Sequence, residues 1–157
     1  IRYDTDLSIR HLPHKTASGR AQLAYWSAAR IDAYVDFWKR REIPAQGRFD
    51  ATLLMDQLEQ IRANGVALLI DEWVAGATGV SAPVFDTDRS AIGAVTVGSV
   101  TARFLADREE IIAAVKEAGK RITENLPDSL RRIRALQPSG TRGKPSRVNL
   151  GDRHAVS

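Results

Sequence analysis

An α+β domain, with an antiparallel sheet and helices against its faces, is the fold class that this 157-residue sequence predicts. Three observations carry that expectation. Segments of period two stand at the start and in the middle of the chain, and two of them are separated by a short polar turn. Segments of helical period come three together and then once more at greater length. The resulting order of strand, three helices, strand, hairpin and helix lacks the strict alternation that builds a doubly wound parallel sheet.

Taken in order, IRYDTDLSIR at 1–10 alternates Ile1, Tyr3, Thr5, Leu7 and Ile9 with mostly charged partners, a half-buried strand that Pro13 closes. In LPHKTASGRAQLAYW, Thr16 is placed to cap a helix running over about residues 17–26. The same small residues leave backbone N–H groups uncovered at a helix start, where an anion is favoured. On these residues alone, cap and anion seat both stand. Ser27 then caps a second helix in which Ile31, Tyr34, Val35 and Trp38 recur at helical spacing, and Lys39, Arg40 and Arg41 suit its C-terminal end. Pro44 and Gly47 make a loop.

Asp50 caps a third helix, FDATLLMDQLEQIRANG, with Leu54, Leu58 and Ile61 on one stripe and Gly65 as its stop. VALLID is a short apolar strand and EWVAGAT a loop; GVSAPVFD and AIGAVTVGS are two strands joined by TDRS, a hairpin. ADREEIIAAVKEAGKRITENL is the clearest helix, with Asp107 and Glu110 spaced as a capping box and Ile111, Val115, Ala118 and Ile122 as the buried stripe. Beyond Pro127, SLRRIRAL reads as a short basic helix, followed by a Gly-, Pro-, Ser- and Arg-rich tail that cannot support a core. The domain is therefore expected over 1–126, with the basic helix and flexible tail over 127–157. There is no internal repeat.

The basicity belongs to that tail: residues 128–157 hold seven Lys or Arg against two acids, whereas the whole chain carries a net charge of only +4. A solvated end explains this more simply than a nucleic-acid surface. Without cysteine there are no disulfides, thiol nucleophiles or thiolate metal sites, and a reducing cytoplasm is the expected location. His11, His14 and His154 make no metal cluster, and His11 and His14 straddle Pro13, so they read as ordinary polar residues. No apolar run reaches the ~18 residues of a membrane helix. Because the chain opens at Ile1, without Met, in what reads as a strand, it is expected to be a piece of a longer protein.

The search for catalytic groups returns little. GVSAP at 79–83 imitates a nucleophile elbow, but Pro83 stands where glycine is needed and Ser81 falls inside a strand. GTRGKP at 140–145 is too short for a phosphate loop and lacks Ser or Thr after Lys144. Asp71 and Glu72 are adjacent, so on a strand they would point to opposite faces and could not share a proton; solvation at a loop edge is their expected role. An enzyme is not expected, nor a cofactor.

LPHKTASGRAQLA, QIRANGVALL and GVSAPVFDTDRSAIGAVTVGS, in that order and followed by a capped helix, resemble the effector-binding domain of IclR-type bacterial transcriptional regulators. That family shows a Pro-Leu-His-x-Thr-Ala-x-Gly-Lys-Ala stretch, an Ile-Arg-x-x-Gly-Tyr-Ala strand entry, and an Ala-Ala-Pro-Val-Phe-Asp hairpin with Ala-Ala-x-Ser-x-Ser-Gly in its second strand. The likeness runs from about residue 7 to about residue 126.

The resemblance implies a GAF-like (profilin-like) domain that binds a small organic acid and is joined to a DNA-binding winged helix-turn-helix. That second domain is not in this sequence, and the sensing domain itself is expected to be N-terminally incomplete. It also implies a homodimer or homotetramer, with Trp26, Trp38 or Trp73 available for contacts. The effector carboxylate would lie at Ala17, Ser18 and Gly19, which favours the anion seat over a plain cap. The rest of the family pocket falls on Leu69, Gly79, Thr96 and Gly98. Leu69 stands where some relatives have Asp, and Gly98 where they have Ser, so a roomier, less polar pocket is expected, suited to an aromatic, alicyclic or longer aliphatic acid. The competing reading is a GAF-like domain that has lost its ligand and serves only to oligomerise.

Overall fold

The computed structural model describes residues 12–40 and 49–126. The strand expected at 1–10, the loop at Pro44 and Gly47, and the basic helix and tail at 127–157 lie outside the described residues, as do His11 and His154.

A 3-10 turn, Pro13–Lys15, leads into α1 (Ala17–Leu23), α2 (Ala28–Lys39) and α3 (Ala51–Asn64). Strands β1 (Ala67–Ile70), β2 (Ala77–Phe85) and β3 (Ala91–Val100) follow, then α4 (Thr101–Ala106) and α5 (Arg108–Glu124). The strands form one antiparallel sheet in the order β1-β2-β3. This is the mixed helix and antiparallel-sheet architecture that the sequence predicts.

Side-chain alternation assigns each helix group to a sheet face. Ala67 joins Ala21, Leu23, Ile31, Val35, Leu54, Leu58 and Ile61 in the core that α1, α2 and α3 build on one face. Val80 and Ala82 join Phe104 and Val115 on the other, beneath α4 and α5, with Leu68, Ile70 and Val95 packed against them. The β1–β2 ladder puts odd-numbered residues of both strands towards the first face, because Ala67 pairs with Ser81 and Leu69 with Gly79.

Local chemistry fixes the element ends. Thr16 Oγ1 accepts from Gly19 N–H (3.1 Å) and Asp50 Oδ1 from Leu53 N–H (3.0 Å), two side-chain caps. Gly65 closes α3 at φ 72°, its N–H donating to the Ile61 carbonyl at 2.8 Å. Asp71, at φ 57°, turns the chain out of β1; its carboxylate accepts from Gly76 N–H (2.9 Å) and from the Thr101 hydroxyl (2.7 Å).

Four expectations are corrected. Helix α1 ends at Leu23, short of residue 26. Ser27 occupies the N-cap position of α2 but makes no side-chain cap bond. Asp107 likewise makes none, because it also ends α4, at φ −116° and ψ 27°, instead of adopting the extended backbone that lays a cap side chain over the first turn. The α5 stripe is also rotated. Val115 and Gly119 are buried, whereas Ile122 is 43% exposed. The helix makes its closest approach at Gly119, where a Cβ would stand 2.9 Å from the Ala82 Cβ; one turn on, Thr123 Oγ1 accepts from Phe85 N–H at 3.1 Å.

Candidate functional site

Six of the seven residues expected at a binding site are brought to one place by strand register and by the start of α1. Leu69 pairs with Gly79 and Gly79 with Gly98, so the three form a row across the sheet. Thr96 is two residues along β3 from Gly98, on the same face, opposite Ser81. Ala17 covers the middle of the row: a Cβ added to Gly79 would lie 3.2 Å from the Ala17 Cβ. Ser18 follows in the same helical turn. The row is buried at Leu69 and open at the other end, where Gly98 has free space above it and Thr96 is exposed.

Gly19, the seventh, lies in the same turn and has a packing role of its own. Its N–H is already committed to Thr16 Oγ1, and a Cβ there would fall 2.2 Å from the Pro13 carbonyl oxygen. It is glycine because the 3-10 turn lies against it.

Ser81 Oγ donates to the Val95 carbonyl (3.2 Å) and lies 2.8 Å from Thr96 Oγ1. A serine hydroxyl has one hydrogen, so the arrangement that satisfies both contacts has Thr96 donating to Ser81. Ser81 is thus a buried strand residue bonded across the sheet.

Three further polar groups lie beside this site. His14 is buried among Tyr34, Trp38 and Phe49, with ring centroids 5.9, 5.2 and 5.1 Å away. Its Nδ1 lies 2.6 Å from the Tyr34 hydroxyl, which also accepts the His14 backbone N–H at 3.3 Å. Burial, with Lys15 and Arg20 nearby, lowers the imidazole pKa to about 4, and burial raises that of the phenol. A neutral ring accepting the phenol proton through Nδ1 fits both directions. The reading of His14 as an ordinary polar residue is therefore corrected.

Arg20 and Glu72 are the other two. Arg20 Nε donates to the His14 carbonyl (2.7 Å), while its two terminal nitrogens donate to Glu72 Oε1 (3.1 Å) and Oε2 (2.6 Å). Glu72 and Asp71 are exposed at the loop edge, as expected of them, and are in addition bonded groups of a built loop. The 52-residue separation of Arg20 from Glu72 leaves no local pattern that would announce the pair.

A groove of about 680 Å³ runs elsewhere, along α5, lined among others by Tyr25, Pro83, Phe85, Lys116, Lys120 and Thr123. None of the seven expected residues lines it. Among the described residues there is no group of three or more His, Asp or Glu able to hold a metal ion, and no helix long and apolar enough to cross a membrane.

Comparison with protein families gives a match over residues 9–124 to the C-terminal domain of the bacterial transcriptional regulator IclR. The chain belongs to the IclR family. Solved structures agree. An IclR-type regulator from Silicibacter sp. TM1040 is similar at 31% identity and a TM-score of 0.61, covering 71% of this chain and 44% of that one. The IclR of Thermotoga maritima gives 23% identity and a TM-score of 0.62, over 79% and 53%. The C-terminal domain of the Escherichia coli regulator KdgR gives 22% and 0.63, over 74% and 71%. These last two likenesses bear on the fold alone. The chain spans 44% and 49% of the regulators from Silicibacter and Rhodococcus that it resembles. No curated protein matches it. The family and its solved members are transcriptional regulators and not enzymes.

Proposed function

We propose that residues 1–126 are the sensing domain of an IclR-type regulator, and that a small organic acid binds between the start of α1 and the sheet face carrying Leu69, Gly79, Thr96 and Gly98. The observation that carries this reading is the convergence of Ala17 on the Leu69–Gly79–Gly98 row. The acid's carboxylate lies at the Ala17–Ser18 turn, with Gly19 shaping that turn by packing. Its body runs beside Ala17 over the open end of the sheet at Gly98 and Thr96, which accommodates an aromatic, alicyclic or longer aliphatic group. Binding biases the arrangement of the domain and, through it, a DNA-binding winged helix-turn-helix outside this chain, in a cytoplasmic homodimer or homotetramer.

A thermal-shift series with glyoxylate, pyruvate, benzoate and cyclohexanecarboxylate tests this. At a hundred times its dissociation constant a ligand stabilises by about 2.7 kcal/mol. The two larger acids should raise the melting temperature and the two smaller ones should not, and Ser18→Trp should abolish the shift while leaving the fold intact. Stabilisation that survives Ser18→Trp contradicts the site. The second reading, a ligand-free interaction domain, draws support from the α5 groove, which lies apart from all seven residues. It prevails if none of these acids shifts the melting temperature.

A further inference from the structure

We infer that Arg20 and Glu72 form a latch that positions the candidate effector site by holding the Pro13–Gly19 segment to the β1–β2 loop. This rests on the reading of that site given above. Arg20 lies one residue past Gly19, and its side chain is 8% exposed. Its planar fork makes three bonds at once: one to the carbonyl of His14 in the 3-10 turn, and two to the carboxylate of Glu72 after β1. The guanidinium thereby ties together the turn before α1, α1 itself and the loop beyond β1. Gly19 packs directly against Pro13, which couples this segment to the turn.

The anchor is itself built to stay in place. Next to Glu72, Asp71 accepts from Gly76 N–H and from the Thr101 hydroxyl, and its own N–H donates to the Ala77 carbonyl at 2.9 Å. The Thr101 hydroxyl oxygen also lies 3.0 Å from that of Thr78 in β2. The loop is thus pinned to β2 and to the start of α4, and Glu72 is presented from a fixed platform. Without the carboxylate, a buried guanidinium keeps one acceptor and must move towards water, carrying the turn with it. The lysine that the family stretch carries at this position has a single ammonium, which does not serve the carbonyl and both carboxylate oxygens in that geometry, so the three-way tie belongs to the arginine of this chain.

The test is amide hydrogen exchange by mass spectrometry on the whole chain, wild type against Glu72→Ala and Arg20→Lys, combined with titration of benzoate and cyclohexanecarboxylate. Both variants should raise exchange in residues 13–24 at least tenfold while residues 108–124 of α5 keep wild-type rates, and both should weaken any acid that binds the wild type at least tenfold. Unchanged exchange in 13–24, or an equal rise in α5, overturns the latch. Faster exchange in 13–24 with unchanged acid affinity overturns its positioning role. If neither acid binds the wild type, it is the effector-site reading that fails; the exchange rates still decide the latch.

Discussion

At the scale of single residues, His14 sets a pH dependence. Its imidazole titrates near 6.5 when unfolded and at about 4 when folded, because burial beside Lys15 and Arg20 disfavours the charged form. Between these values the unfolded chain binds a proton that the folded chain refuses. The stabilisation is therefore complete above about pH 6.5 and is lost as pH falls towards 4. Urea unfolding at pH 7 and pH 4.5 should show a larger loss of stability in wild type than in His14→Gln. Equal losses would show that His14 titrates freely when folded.

Glycines make a second contrast at this scale. Gly19→Ala gains helix propensity of about 1 kcal/mol. Its Cβ, however, meets the Pro13 carbonyl at 2.2 Å, so a net destabilisation of about 2 kcal/mol or more is expected. Gly98→Ala meets nothing within 4 Å, and its effect should stay within about 0.5 kcal/mol. Thermal denaturation of the pair would refute the packing account if the two substitutions cost the same.

At the scale of elements, caps separate by geometry and not by residue type. Thr16→Ala and Asp50→Ala each remove a bonded cap and should cost about 1 kcal/mol. Asp107→Ala removes no cap bond and should cost less than about 0.5 kcal/mol, although its sequence spacing imitates a capping box. Chemical denaturation of the three variants checks the ranking, and an equal cost at Asp107 would contradict it. The same difference explains what the sequence could and could not reveal. The Thr16 and Asp50 caps, the Gly65 stop and the hairpin around TDRS are legible because each is decided within a few residues, whereas Ser27 and Asp107 have the residue type of a cap without its bond. Helix α4 is not legible, since TARFLA is too short to show a period, and it shifts Asp107 from helix start to helix junction. The α5 contact line was missed because two of its members, Gly119 and Thr123, are not apolar, and only the approach of β2 makes them interior.

At the scale of the whole molecule, legibility followed the same rule. The seven candidate site residues come from the family resemblance, and strand register gathers Leu69, Gly79, Thr96 and Gly98 on one face with Ala17 above them. The pairing of Arg20 with Glu72 and the packing of His14 under α2 depend on contacts between segments far apart in sequence, which periodicity does not encode. That separation also divides the molecule into two candidate surfaces, the α1–sheet site on one hand and the α5 groove on the other. The decisive measurement is a titration of the ¹⁵N-labelled chain with cyclohexanecarboxylate, following backbone amide shifts residue by residue. The account predicts saturable shifts at Ala17, Ser18, Gly79, Thr96 and Gly98, with Lys116, Lys120 and Thr123 unmoved. Shifts confined to those three groove residues, or no saturable shift at all, would contradict it.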